Sequence, residues 1–134
     1  MRLTKMLIAL FAVTLFSFTT RSKEMNPGPW VFLGDKSVSF GNDHDVMHFG
    51  NIADGFRYIK LKVTEGPLKM YDMKVYFDNG EVQDVWIRAR INNGGESRQI
   101  DLNGDIRHLD RIEFWYETKG FIHGNAKMNV YGRL

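Results

Sequence analysis

Apolar and polar residues alternate with a period of two along most of the chain beyond residue 30. In FRYIKLKV, Ile59, Leu61 and Val63 fall on one side and Lys60 and Lys62 on the other. Successive side chains of a β-strand point to opposite faces, so the alternation predicts a strand with one apolar face. No segment beyond residue 22 sustains the i, i+3, i+4 spacing of an amphipathic helix. The pattern therefore predicts an all-β domain.

The same alternation assigns an inward face to LKMYDMKVYF, EVQDVWIRARI, SRQIDL, RIEFWYE and NAKMNVYG. Each large apolar side chain that is buried stabilises the fold by on the order of 2 kcal/mol, at about 25 cal/mol per Å². The residues predicted to point inward in these segments are Tyr71, Met73, Val75, Phe77, Val85, Ile87, Ala89, Ile91, Arg98, Ile100, Leu102, Ile112, Phe114, Tyr116, Ala126, Met128 and Val130.

Turn signals divide the chain into eight or nine short strands. Gly66-Pro67 interrupts the pattern, and DNG at 78–80 and NNGG at 92–95 are typical of hairpin turns, because Asn-Gly readily adopts positive φ values. One polar face per strand indicates antiparallel sheets with one wet side. We predict an antiparallel β-sandwich, jelly-roll or immunoglobulin-like, with a closed barrel as the structural alternative.

The N-terminus has the order of a secretory signal peptide. Arg2 and Lys5 precede the apolar run LIALFAVTLFSF, and polar residues follow it. Those twelve residues span roughly 18 Å as a helix, short of a bilayer core of about 30 Å. We predict a signal-peptide helix over 1–22, a flexible leader over 23–29 and a sandwich over 30–134, exported to the periplasm or secreted, without a stable membrane span in the mature form. An uncleaved N-terminal helix is the alternative.

Charge and cysteine content exclude several classes of function. The chain has 18 Lys+Arg and 16 Asp+Glu, and residues 1–20 hold two basic and no acidic residues, which leaves 16 of each beyond them. A near-neutral domain lacks the positive field that nucleic-acid binding requires, so no nucleic-acid partner is expected. Without cysteine there is no disulfide, thiolate nucleophile or Cys-ligated metal.

The predicted solvent side of the sheets carries aromatic residues beside arginines. Exposed Trp and Tyr rings suit stacking on a sugar ring or a peptide, and arginine can orient the ligand. The alternative explanation is cross-strand pairing, which stabilises a sheet by roughly 0.2–1 kcal/mol per pair. The candidate ligand-binding residues, which are predicted to share one solvent-side surface, are Tyr76, Trp86, Arg88, Arg90, Trp115 and Tyr131.

Two segments contain metal-capable residues. GNDHDVMH, interpreted as a polar loop, holds Asp43, His44, Asp45 and His48, but two histidines four apart on a strand would stand about 13 Å apart. DLNGD, at 101–105, lacks the glycine and the closing glutamate of a calcium loop. Solvated turns explain both segments, so no metal or cofactor is expected.

Carboxylates near the C-terminal half could in principle support a hydrolase. Glu113 and Glu117 share a predicted strand face, with Glu96 and Asp101 nearby in sequence. Paired carboxylates hydrolyse glycosidic bonds when one is held protonated, but ion pairs with neighbouring arginines explain these equally well. The motifs G-x-S-x-G and H-E-x-x-H are absent. We therefore expect no enzymatic activity and no catalytic residue.

A longer pattern resembles a known family. It reads GG-x-SR-x-IDL-x-G-x-x-R-x-L-x-RIEFWY from Gly94 to Tyr116, with W-x-x-LG at 30–34 and P-L-x-MYD-M-KV-x-F at 67–77 upstream. It resembles an uncharacterised family of small exported bacterial all-β proteins, a domain of unknown function. The resemblance implies an exported all-β domain and no particular activity.

From the residues we expect a non-catalytic binding or interaction module for a carbohydrate or a protein ligand. The alternative is a structural or accessory envelope protein without a small-molecule ligand, and a small hydrolase is the least favoured. The partner itself is not identified by the sequence.

Overall fold

A computed structural model describes residues 28–39, 41, 43–50, 55–117 and 125–134. The predicted signal peptide, most of the leader and the segment 118–124 lie outside the described residues. In the described part, no helix has the length and hydropathy needed to cross a membrane. The strands there are β1 (Val31–Ser39), β2 (His44–His48), β3 (Tyr58–Thr64), β4 (Leu68–Phe77), β5 (Val82–Ile91), β6 (Ile100–Asp101), β7 (Leu109–Glu117) and β8 (Asn125–Arg133).

The strands form two antiparallel four-stranded sheets, which confirms the predicted β-sandwich. One sheet has the order β1-β8-β3-β6 and the other β2-β7-β4-β5. Strand β1 pairs with β8, β2 with β7, β3 with β6 and β4 with β5, as in one long hairpin folded over on itself. Of the two architectures predicted, this is the jelly-roll arrangement of eight strands in two sheets.

A single apolar core lies between the sheets. Val75 and Phe114 from one sheet and Leu61 and Met128 from the other are fully buried in it, and Ile87 packs against its margin. The predicted inward residues of β3, β7 and β8 are buried throughout. Period-two alternation therefore identified the core-facing side of these strands correctly.

A β-bulge changes the inward phase of β4. Met70 pairs with Tyr116 and Asp72 with Trp115, so Tyr71 is an extra residue between two consecutive pairs. Tyr71, predicted to point inward, is exposed, whereas Met70 is fully buried. One inserted residue reverses the alternation on one side of the bulge, which a strict period of two cannot anticipate.

Two further inward predictions are wrong at the margin of the sandwich. Ala89 is exposed, and it lies beside Arg88 at the point where the pairing of β5 with β4 is irregular. Arg98 is exposed and donates from Nη2 to the Trp86 carbonyl at 2.9 Å, outside the core that Ile100 and Leu102 enter as predicted. Only Ile100–Asp101 of that segment is strand, so the alternation does not extend back to Arg98.

Polar side chains connect the two sheets along both open sides of the sandwich. On one side, Lys36 of β1 lies 3.6 Å from the carboxylate of Asp45 in β2, which also accepts from Tyr116 of its own sheet at 2.9 Å. Burial, followed by the bond to Asp45, raises the pKa of Tyr116. On the other side, Gln83 of β5 donates to the Asp101 carbonyl at 2.9 Å and accepts from the Asn103 amide at 2.7 Å.

Candidate functional site

The outer face of the β2-β7-β4-β5 sheet carries one row of residues across all four strands. The register aligns His44 with Trp115, Trp115 with Asp72, and Asp72 with Trp86. Strands in a sheet lie about 4.8 Å apart, so two strand spacings place Trp115 and Trp86 about 10 Å apart, with Asp72 between them. Two aromatic side chains thus flank a carboxylate on a solvent-facing surface.

A hollow of about 220 Å³ lies between the two tryptophans. Lys74 and Asp84 at its margin are 4.0 Å apart and form an exposed ion pair. In the described part of the chain, neither indole N–H makes a hydrogen bond, so both are available as donors. The hollow is lined by Asp72, Met73, Lys74, Asp84, Trp86 and Trp115.

Trp86 is held from one side by Arg88. The indole is 63% exposed, and the Arg88 guanidinium lies 4.5 Å from its ring centroid. Arg88 Nε also lies 3.5 Å from Asp72 Oδ1, a buried oxygen that has no hydrogen bond. The cation–π contact and the ion pair together restrict the orientation of the Trp86 ring.

Arg88 has a backbone conformation that favours glycine. Its φ is +45°, and it lies where β5 has two residues, Ile87 and Arg88, opposite the single residue Tyr71 of β4. Bulges of this kind redirect side chains and are frequent beside functional sites. A non-glycine residue at positive φ costs of order 1–3 kcal/mol. The positive φ of Arg88 thus destabilises the fold, but it places the guanidinium against the Trp86 ring.

Trp115 is fixed by a polar network on its other side. The His44 ring lies 5.0 Å from the Trp115 ring, and His44 Nε2 is 2.9 Å from Glu113 Oε2. The Tyr76 hydroxyl donates to the other oxygen of Glu113, and Arg111 stacks 3.8 Å from the Tyr76 ring centroid. The bond from Tyr76, and next the bond from His44, lowers the pKa of Glu113.

Five of the six predicted ligand-binding residues share this sheet. Tyr76, Trp86, Arg88 and Trp115 take part in the contacts above, and the register places Arg90 opposite Lys69. Tyr131 belongs to β8 in the other sheet, so the prediction that it shares this surface is wrong. The alternation within a strand gives the face of a side chain but not the sheet to which its strand belongs.

Sequence reasoning missed a second concavity beside Trp86. It has a volume of about 560 Å³ and lies between the edge strand β5 and the segment that leads into β6. These two stretches follow each other in the chain but belong to different sheets, and the alternation of apolar and polar residues does not indicate that they form a groove. The groove is lined by Gln83, Asp84, Val85, Trp86, Arg98, Gln99, Ile100 and Asp101.

The outer face of the other sheet holds a contrasting aromatic cluster. Lys60 Nζ lies 4.4 Å from the Trp30 ring centroid and the Arg133 guanidinium lies 4.5 Å from it. Tyr131 lies 5.9 Å from the same Lys60 amine and packs edge-on against Phe32, with ring centroids 5.6 Å apart. Here Trp30 has two cations of the chain itself as partners, whereas Trp86 has one.

The residues of the proposed polar loop are mainly strand. His44 and His48 both belong to β2, so the interpretation of this stretch as a loop is wrong. Asp45 points to the core side, where Tyr116 and Lys36 contact it. Within the described ranges, no group of three or more His, Asp or Glu side chains could hold a metal ion.

Most of the candidate hydrolase and calcium residues have separate partners. Glu113 accepts from Tyr76 and His44, and Glu117 accepts from Tyr71 and lies 3.6 Å from Lys69. In the DLNGD segment, Asp105 pairs with Arg57 at 3.0 Å, and Asp101 is one of the residues that line the groove.

The chain matches a family model and resembles solved structures. The model of a domain of unknown function (DUF2541) matches residues 6–132, which confirms the resemblance to an uncharacterised family. A structure titled "Structural and functional characterization of Pseudomonas aeruginosa AlgX" matches with a TM-score of 0.50 and 12% identity. The match covers 79% of this chain and 26% of that one, and it supports the fold alone. Comparison with curated proteins gives no match.

Proposed function

The chain belongs to the DUF2541 family, and we propose that it is an exported, non-catalytic module that binds carbohydrate on the outer face of the β2-β7-β4-β5 sheet. The observation that carries the proposal is the hollow that Trp86 and Trp115 line together. The N-terminal sequence pattern supports export.

The chemistry of the hollow suits a sugar. Aromatic rings stack on the apolar faces of sugar rings, and the two indole N–H groups can donate to ring hydroxyls. Asp72, Lys74 and Asp84 surround the space between the rings and supply acceptors and a donor for further hydroxyls. Charged acceptors and a donor thus lie between two aromatic side chains, which matches a neutral polyhydroxylated ligand better than a purely apolar one.

Glu113 supports a non-catalytic role. A glycosidase acid needs a raised pKa so that it carries a proton at neutral pH. Hydrogen bonds from Tyr76 and His44 lower the pKa of Glu113 instead. This carboxylate is therefore suited to holding its neighbours in place.

A purely structural role for the outer face of the β2-β7-β4-β5 sheet is the second candidate function. The ion pairs Arg88–Asp72, Lys74–Asp84 and Lys69–Glu117 are formed within the sheet itself. A protein of this kind would stabilise an envelope assembly without a small-molecule ligand, and its tryptophans would affect only stability.

A glycan array separates the two candidates. The chain from residue 23 onward is applied to printed neutral, amino-sugar and acidic oligosaccharides of two to six residues. We expect binding that Trp86→Ala and Trp115→Ala each weaken by about tenfold or more, because exposed aromatic residues dominate such contacts. Lys62→Ala on the opposite sheet is the control and should leave the signal unchanged. An array without signal, or variants that lose thermal stability without losing binding, would favour the structural role.

A further inference from the structure

We propose that the ligand is an extended carbohydrate chain that crosses the edge of the sheet, from the hollow between Trp115 and Trp86 into the groove beside β6. This inference rests on the proposed function and extends it to residues outside the predicted site.

The hollow and the groove adjoin along β5. Asp84 and Trp86 line both of them, and these two side chains are neighbours on the outer face of the edge strand. A ligand that leaves the hollow in this direction passes over Trp86 and enters the groove. The high exposure of Trp86, 63%, is explained if its indole forms the platform at the crossing point.

The volumes indicate that the hollow receives only part of a ligand. Sites that enclose a small molecule usually have about 300–1,000 Å³. The hollow has about 220 Å³, whereas the groove has about 560 Å³. A single sugar in the hollow would leave the larger, adjoining space unused, and a chain would occupy both.

The groove carries unused hydrogen-bonding groups. The Arg98 guanidinium donates to the Trp86 carbonyl, and this side chain makes no other hydrogen bond in the described part of the chain. The Asp101 side chain has no hydrogen bond or ion pair there, and Gln99 accepts from Arg133 while its amide donors remain unpaired among the same residues. Guanidinium, carboxylate and amide groups can each bond two neighbouring hydroxyls, which a sugar chain presents at every residue.

The same contacts make the groove unsuitable for an added peptide strand. A peptide that extends the sheet needs the free carbonyl and amide groups of the edge strand. The Trp86 carbonyl already accepts from Arg98, and Gln83 bridges β5 to the Asp101 carbonyl and the Asn103 amide. Side chains thus cover the β5 edge at two points, as proteins commonly protect such edges.

Chain length tests the inference. Two-residue and six-residue oligomers of the series with the strongest array signal are titrated by calorimetry, beginning with β-1,4-linked N-acetylglucosamine. We expect the six-residue oligomer to bind about tenfold more tightly or better, a difference of about 1.4 kcal/mol. The double variant Gln99→Ala/Asp101→Ala should remove this gain and leave the affinity for the two-residue oligomer unchanged. Asp35→Ala/Asn125→Ala, a carboxylate and an amide near the opposite edge, is the control.

The possible failures are distinguishable. Equal affinities for short and long oligomers, or a groove variant that weakens both alike, would overturn the extended-chain inference and leave the proposed function standing. Absence of binding for every series would overturn both. A β-strand peptide library that binds and is displaced by no sugar would also overturn both.

Discussion

Trp30 and Trp86 stand on the outer faces of opposite sheets, and each contacts a cation, but their surroundings differ. Trp30 has two cations within 4.5 Å of its ring centroid, Lys60 and Arg133, and is half-buried. Trp86 has Arg88 at 4.5 Å and is 63% exposed. A tryptophan beside a cation thus packs within the protein on one sheet, whereas on the other sheet it is exposed and can contact a ligand. The residue types alone do not distinguish the packing role from the ligand-binding role, whereas the number of cations around each tryptophan does.

Replacing Trp30 should have the largest effect on stability. Trp30→Ala removes a half-buried ring and two cation–π contacts, so we expect the free energy of unfolding to fall by about 2 kcal/mol. Trp86→Ala should change it by about 0.5 kcal/mol or less, because its ring is largely exposed. Urea denaturation followed by circular dichroism measures both. Equal losses for the two variants would contradict the distinction between the faces.

Two substitutions of Arg88 test the backbone strain that its positive φ causes. Arg88→Gly and Arg88→Ala both remove the guanidinium from Trp86, and both should weaken oligosaccharide binding to the same extent. Glycine accepts positive φ freely, so Arg88→Gly should be more stable than Arg88→Ala by about 1 kcal/mol.

Arg90, two residues further along β5, is the matched control for that pair. In ordinary strand conformation glycine is worse than alanine by roughly 0.5–1 kcal/mol, so the order of the two variants should be reversed at this position. If alanine is the better replacement at both positions, Arg88 is not strained.

Replacing Glu113 should have the smallest effect on stability, and that effect should depend on pH. Its pKa is lowered in the folded state by the bonds from Tyr76 and His44, so its contribution to stability is complete above the unfolded pKa of about 4.3. That contribution is lost as the pH falls from there through the lowered pKa. Glu113→Gln should therefore lose less melting temperature than the wild type between pH 5 and pH 3, in scans at constant ionic strength. Parallel profiles for the two proteins would show that the carboxylate does not anchor this face.

The sequence predicted the core well where strands are regular. Ile59, Leu61 and Val63, like Ile112, Phe114 and Tyr116, alternate without interruption and are all buried. Tyr71 was misplaced because a bulge adds one residue, and nothing in the period-two pattern marks its position. Local alternation thus predicts buried side chains reliably within regular strands, and it fails at β-bulges.

The candidate site was predictable only within one sheet. Trp86 and Trp115 follow from alternation, since each lies between inward-facing residues of its strand. Tyr131 was assigned wrongly because membership of a sheet is decided by pairing between distant strands. The groove formed by Arg98, Gln99 and β5 depends on how two edge strands approach each other, which is a tertiary property without a local signature.

The most direct test of the central claim follows the three tryptophans separately. Each indole N–H gives its own signal in a ¹⁵N–¹H correlation spectrum, and Trp30→Phe, Trp86→Phe and Trp115→Phe assign them. On addition of the strongest-binding six-residue oligosaccharide, we expect the Trp86 and Trp115 signals to shift and saturate together while the Trp30 signal stays in place. A shift at Trp30 with Trp86 and Trp115 unmoved would contradict it.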